Sequence, residues 1–150
     1  LFVARTFSKV AGLAALRLGA VIGCRESLAL VRRAMPPFPV NLAALVAAEA
    51  AVDDRATMRR YVNEVKHLRV WFAAELKKLN VKTYSSAGNF LLANFGTAGP
   101  ALLRKLEKQG ILLRDRSHDI APGFVRITIG TSAEMHRLLK VIRNEWTARP

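Results

Sequence analysis

Lys9 stands in the run Arg5-Thr6-Phe7-Ser8-Lys9-Val10-Ala11-Gly12, among small, hydroxylated and apolar residues, with no carboxylate in the stretch. A lysine partly stripped of water loses some of its preference for the ammonium form, because burial penalises the charge. The neutral amine can attack a carbonyl and hold it as a Schiff base. Thr6 and Ser8 place hydroxyl donors beside it. Arg17, further along the same segment, offers a planar and permanently charged fork suited to a phosphate. An amine nucleophile next to a phosphate cradle suits a phosphate-bearing aldehyde. The plainer alternative is a solvated lysine at the mouth of a loop, since Ser-Lys pairs are common. Spacing alone leaves both readings open.

A second candidate lies far downstream. In Val125-Arg126-Ile127-Thr128-Ile129 the alternation puts Val125, Ile127 and Ile129 on one face of a strand and Arg126 and Thr128 on the other. An arginine between β-branched residues of an internal strand needs an anion, and no carboxylate lies close in sequence. Arg114 ends another apolar run, Ile111-Leu112-Leu113. Two arginines converging on one side would make a bidentate anion site. Each could instead pair with an acid such as Asp115 or Asp119.

The segment Thr6-x-Ser8-Lys9-x-x-Gly12-Leu13-Ala14-x-Leu16-Arg17-x-Gly19 closely resembles the cofactor-lysine segment of fold-type I pyridoxal-phosphate-dependent aminotransferases (class I/II), and within them the histidinol-phosphate aminotransferase group. The resemblance extends through Pro39-Val40-Asn41-Leu42-Ala43, Ser86-Ala87-Gly88-Asn89-Phe90, Gly110-Ile111-x-x-Arg114-Asp115 and Val125-Arg126-Ile127-Thr128-Ile129-Gly130. It implies pyridoxal 5'-phosphate carried on Lys9, with Thr6, Ser8 and Arg17 around the cofactor phosphate. It also implies that Arg114 and Arg126 hold the anionic end of the amino substrate. The implied reaction moves an amino group between histidinol phosphate and 2-oxoglutarate in histidine biosynthesis. Another amino-acid aminotransferase, a decarboxylase of the same superfamily, or an inactive truncated remnant remain alternatives. The family is typically homodimeric.

The fold implied is α/β, fold type I: residues 1–54 as the C-terminal part of the large cofactor-binding domain, and 55–150 as a long linking helix and a small α+β C-terminal domain. The chain opens on Leu1 inside an apolar run, so the expectation is the C-terminal part of a longer protein. In the family the acid facing the pyridinium nitrogen and the ring-stacking aromatic come from upstream sequence. The 150 residues alone are therefore expected to be a poor catalyst or none.

The elements that must position these residues can be read from patterning. A strand end is expected at Leu1–Ala4, a loop with one turn at Arg5–Gly12, and a buried strand at Leu18–Gly23, whose apolar run suits a sheet covered on both faces. Helices are expected over Glu26–Arg33 and, capped by Asn41, over Leu42–Val52. The longest, from about Arg55 to Leu79, carries Met58, Tyr61, Val62, Val65, Leu68, Phe72, Leu76 and Leu79 at steps of three and four, which makes one apolar stripe. Beyond it the pattern predicts a strand at Asn89–Phe95, a helix from Gly99 to Gln109 and strands at Ile111–Arg114 and Phe124–Ile129. A last helix is opened by the Thr131–Glu134 capping box.

Composition narrows the classes. The chain is 51% hydrophobic and 23% charged, a globular rather than a disordered balance. No apolar stretch approaches the ~20 residues of a membrane span, so no membrane partner is expected. One cysteine, Cys24, cannot form an internal disulfide, which makes a reducing, cytoplasmic setting the default. The net charge of +13 invites nucleic acid, yet the basic residues are scattered over helix faces among acids, and no nucleic-acid partner is expected. His67, His118 and His136 lack metal-ligand spacing, and no metal is expected.

Overall fold

The structure, a computed structural model, describes residues 1–147. The chain divides into two compact units, Leu1–Val62 and Asn63–Pro150. Together they hold the mixture of helices and sheets expected of an α/β protein.

The first unit begins with two antiparallel strands, β1 (Phe2–Thr6) and β2 (Gly19–Gly23), in a register that sets Arg5 opposite Ala20 and Thr6 opposite Gly19. Helix α1 (Arg25–Arg33) and helix α2 (Leu42–Asp53) follow. Asn41 caps α2 as expected, its Oδ1 accepting from the Ala44 amide at 2.9 Å. The core of this unit is small: Leu18, Ala44 and Ala48 are buried, with Phe7, Leu16 and Val40 packed partly against them. Two expectations are corrected here. Arg5 and Thr6 belong to the strand rather than to the loop, because the β1–β2 ladder continues through both. The run Leu18–Gly23 is not a doubly covered strand: Leu18 is buried, but Val21 is 45% and Ile22 58% exposed. Within this unit β2 has β1 as its one strand partner, in a two-stranded sheet.

Helix α3 (Arg55–Lys78) starts at Asp54, whose Oδ1 accepts from the Thr57 amide at 3.0 Å. Residues 55–62 fall in the first unit and the rest in the second. Leu68, Phe72 and Leu76 of the expected stripe are buried, whereas Tyr61 and Val62 are exposed.

The second unit is a four-stranded antiparallel sheet in the order β3-β4-β6-β5, made of Lys82–Tyr84, Phe90–Asn94, Phe124–Thr128 and Arg114–Asp115 for β3, β4, β6 and β5. Helices α4 (Gly99–Lys108) and α5 (Ser132–Thr147) complete it. Sixteen buried residues from α3, the sheet, both helices and the turns between them form one core, with Phe72, Leu76, Leu106, Val125, Ile127 and Ile142 fully enclosed. The capping box is present: Glu134 Oε2 accepts from the Thr131 amide at 2.7 Å, and the Glu134 amide donates back to Thr131 Oγ1 at 3.4 Å. Sequence patterning overlooked β3, a three-residue strand too short for a visible alternation. The expected strand Ile111–Arg114 is also corrected. Ile111 closes the end of α4 through its amide bond to Leu106 O, and pairing with β6 begins only at Arg114.

Candidate functional site

Lys9 lies on a tight turn that leaves β1. The Gly12 amide donates to Lys9 O at 3.0 Å, and the Leu13 amide returns to Phe7 O at 3.0 Å, so the loop is folded back on itself. Gly12 takes φ +70°, a left-handed conformation that glycine adopts without the steric penalty of a side chain. Lys9 is exposed, because the turn carries it out of the unit's small core. No ion pair to Lys9 exists among the described residues. It lines a cavity of about 270 Å³ together with Val10, Ala11, Gly12, Ala51, Asp54, Thr57, Met58 and Tyr61. Asp54 is held as a carboxylate below its ordinary pKa, chiefly by the Thr57 amide it caps.

Thr6 and Ser8 are joined by a local bond, the Ser8 amide donating to Thr6 Oγ1 at 3.1 Å. That bond uses the Thr6 oxygen as acceptor and leaves its proton available to donate. Arg17 follows a 3₁₀ turn at Ala14–Leu16 and takes φ +54°, ψ +39°. A non-glycine residue there costs on the order of 1–3 kcal/mol, and such strain gathers at functional positions. Its Nη1 donates to Ala14 O at 3.0 Å, which orients the guanidinium and spends one of five donors. The structure thus gathers Thr6, Ser8, Lys9 and Arg17 in one unit, on the strand end and turns between β1 and β2.

Arg114 and Arg126 are brought together in the second unit. They sit directly opposite each other across the β5–β6 ladder. Like charges placed so are mutually destabilising. Neither has an acid partner among the described residues: Asp119 pairs with Arg116 at 3.1 Å, and Asp115 accepts from the Ser117 amide at 2.8 Å. The alternative pairing with these acids is therefore not what the fold does. Arg126 Nε is buried without a hydrogen-bond partner, the one such side-chain atom among the described residues. An unpaired buried donor costs roughly 1–3 kcal/mol, more when charged, and an anion would satisfy it. Leu112, Leu113, Arg114, Arg126 and Thr128 line an open cavity of about 330 Å³.

A family model, Aminotransferase class I and II, matches residues 1–142. The chain belongs to the class I and II aminotransferase family. A curated relative, histidinol-phosphate aminotransferase 1 of Thiobacillus denitrificans, is 36% identical across the whole of this aminotransferase chain, which spans 39% of that relative's length. The solved histidinol-phosphate aminotransferase of Clostridium acetobutylicum has the same fold, with a TM-score of 0.90 at 22% identity, over 99% of this chain and 46% of that one. A third, from Sinorhizobium meliloti and solved in complex with pyridoxal-5'-phosphate, gives a TM-score of 0.81 at 24% identity, over 96% and 41% of the two chains.

Sequence reasoning missed Phe90, Thr128, Asp54 and Tyr61 as lining or contact residues. Phe90 lies under the Arg126 guanidinium, with Cζ 4.7 Å from its ring centroid. Only the β4–β6 register, which sets Phe90 opposite Thr128, brings the two together, and no local sequence pattern encodes it. His118 is exposed on the loop between the arginines.

Proposed function

We propose that this chain carries the cofactor lysine and the substrate-anion site of a pyridoxal-phosphate-dependent aminotransferase. The substrate assigned is histidinol phosphate, with 2-oxoglutarate as amino acceptor. The reading rests above all on the facing pair Arg114 and Arg126, two cations that among the described residues have no acid partner, with the buried Arg126 Nε lacking an acceptor there. Such an arrangement costs stability unless an anion enters it. The names of the relatives point to a phosphorylated amine.

Lys9 would hold the cofactor, and Thr6, Ser8 and Arg17 its phosphate. The residues fit the group: among the described residues Lys9 has no acid partner, it lines a cavity, and Arg17 keeps most of its donors uncommitted. When bound, the cofactor supplies an electron sink at the carbon bearing the amine. Lys9 Nζ would take up the proton from that carbon and release it at a different one, since returning it to the first would leave the amino group where it began. Arg114 and Arg126 fix the far, anionic end of the substrate by charge-assisted hydrogen bonds. In this reading residues 1–54 are the C-terminal part of the large domain, and 55–150 are the linking helix and small domain. The whole protein is cytoplasmic and homodimeric. Among the described residues no helix is long and apolar enough to cross a membrane.

Borohydride reduction of the cofactor-loaded whole protein, followed by peptide mapping, tests the lysine directly. The adduct is expected on Lys9, and an adduct on Lys77 or Lys105 overturns the assignment.

A further inference from the structure

An anion-binding arginine must remain charged and free of a permanent carboxylate, yet it must also be held in one orientation. Arg126 meets the first condition, since it has no acid partner among the described residues. The usual means of meeting the second, a hydrogen bond to the guanidinium, is missing at Nε. Among the described residues, the specific contact to its charged head is the face of Phe90. An aromatic face attracts a guanidinium without consuming any of its N–H donors.

We infer that Phe90 is a positioning residue for substrate recognition, a platform that holds the Arg126 guanidinium toward the cavity shared with Arg114 and Thr128. The inference rests on the reading of that cavity as the substrate-anion site. Three features of the fold hold the platform in place. The β4–β6 register sets Phe90 opposite Thr128 and on the same face as Arg126. The bond from the Ile129 amide to Asn89 O, 2.9 Å, closes the ladder at the end where Phe90 sits. Gly88 lies against the ring: a Cβ added there would come within 3.1 Å of Phe90 Cε1. The backbone at Gly88 is itself tied, its carbonyl accepting from Arg69 Nη1. A side chain at position 88 would press on the ring, and the ring would carry the displacement to Arg126.

The order of effects follows. Phe90→Leu keeps an apolar side chain but removes the π face, and should weaken anion binding about two- to thirtyfold. Phe90→Tyr keeps the face and should bind as the parent does. Gly88→Ala leaves Phe90 in the sequence but crowds it, and should fall between the two.

Inorganic phosphate titrated into the full chain, followed by NMR at the Arg126 Nε–H resonance, reads both binding and placement. In the parent the aromatic ring shifts this resonance by its ring current. The shift should disappear in Phe90→Leu, together with the loss of affinity, and persist in Phe90→Tyr. Arg126→Ala, titrated in parallel and followed at the amides of 112–114 and 128, separates the two layers of the argument. If it binds phosphate as tightly as the parent, the anion site is misassigned and the platform falls with it. If Arg126→Ala loses affinity but Phe90→Leu matches the parent, the site stands and Phe90 does not position it.

Discussion

The two units of this chain carry chemistry on very different supports. In Leu1–Val62, three buried residues stand behind Lys9 and Arg17, while Leu42, Leu45, Val46 and Val52 of α2 are all more than 40% exposed. In Asn63–Pro150, sixteen buried residues stand behind Arg114 and Arg126. A large apolar side chain contributes roughly 1.5–3 kcal/mol when fully buried, whereas ordering the backbone costs about 1–2 kcal/mol per residue. One leucine and two alanines offset far less of that cost per residue than a sixteen-residue core with four paired strands does.

The largest expected effect is the contrast in local stability. Amide hydrogen exchange on the full chain should show β4, β6 and α5 opening only with global unfolding. Amides of β1, β2 and α2 should exchange faster by orders of magnitude. Equal protection in both units would erase the contrast. A core truncation sharpens it: Phe72→Ala should destabilise the second unit by about 3–5 kcal/mol, measured by denaturant unfolding. Leu18→Ala should cost well under half of that, because the small cluster around it can collapse.

Capping differences are smaller. Asn41→Ala removes the acceptor for the Ala44 amide, and should cost about 1 kcal/mol. Its effect should be confined to exchange rates in α2. Acid provides the mildest test. Glu75 is held below its ordinary value of 4.5 first by its hydrogen bond with Lys78 and further by the Arg143 guanidinium. Glu134 is held down by the Thr131 amide and hydroxyl. Both carboxyls bind protons less readily folded than unfolded, so their stabilisation is complete above the ordinary carboxylate value and is lost as pH falls through the lowered one. Near-ultraviolet dichroism from Trp71 and Trp146 should hold steady from pH 7 to 5 and decline only below about 4.5. A midpoint near 6 would implicate histidine instead.

Local signals were legible wherever one turn of chain decides the outcome. Asn41 and the Thr131–Glu134 box each cap the helix that sequence assigns them. The alternation around Arg126 survives as burial of Val125 and Ile127 against partial exposure of Arg126. What could not be read depends on partners distant in sequence. The exposure of Val21 and Ile22 follows from what stands beside β2, not from its composition. The short extent of β5 follows from the Leu106–Ile111 closure of α4. The contact of Phe90 with Arg126 depends on a register joining residues more than thirty positions apart.

The function proposed above assigns two different anions to the two units, the cofactor phosphate to Arg17 and the substrate to Arg126. It is tested most directly by comparing Arg17→Ala and Arg126→Ala in the whole protein, scoring cofactor retention and the KM for histidinol phosphate. A charge-assisted hydrogen bond contributes roughly 1.5–3 kcal/mol, an effect of about ten- to a hundredfold. Arg17→Ala should release cofactor and recover partly with excess pyridoxal phosphate. Arg126→Ala should keep the cofactor spectrum and raise KM. If Arg126→Ala instead loses cofactor while KM for histidinol phosphate is unchanged, the two anion sites are assigned the wrong way round.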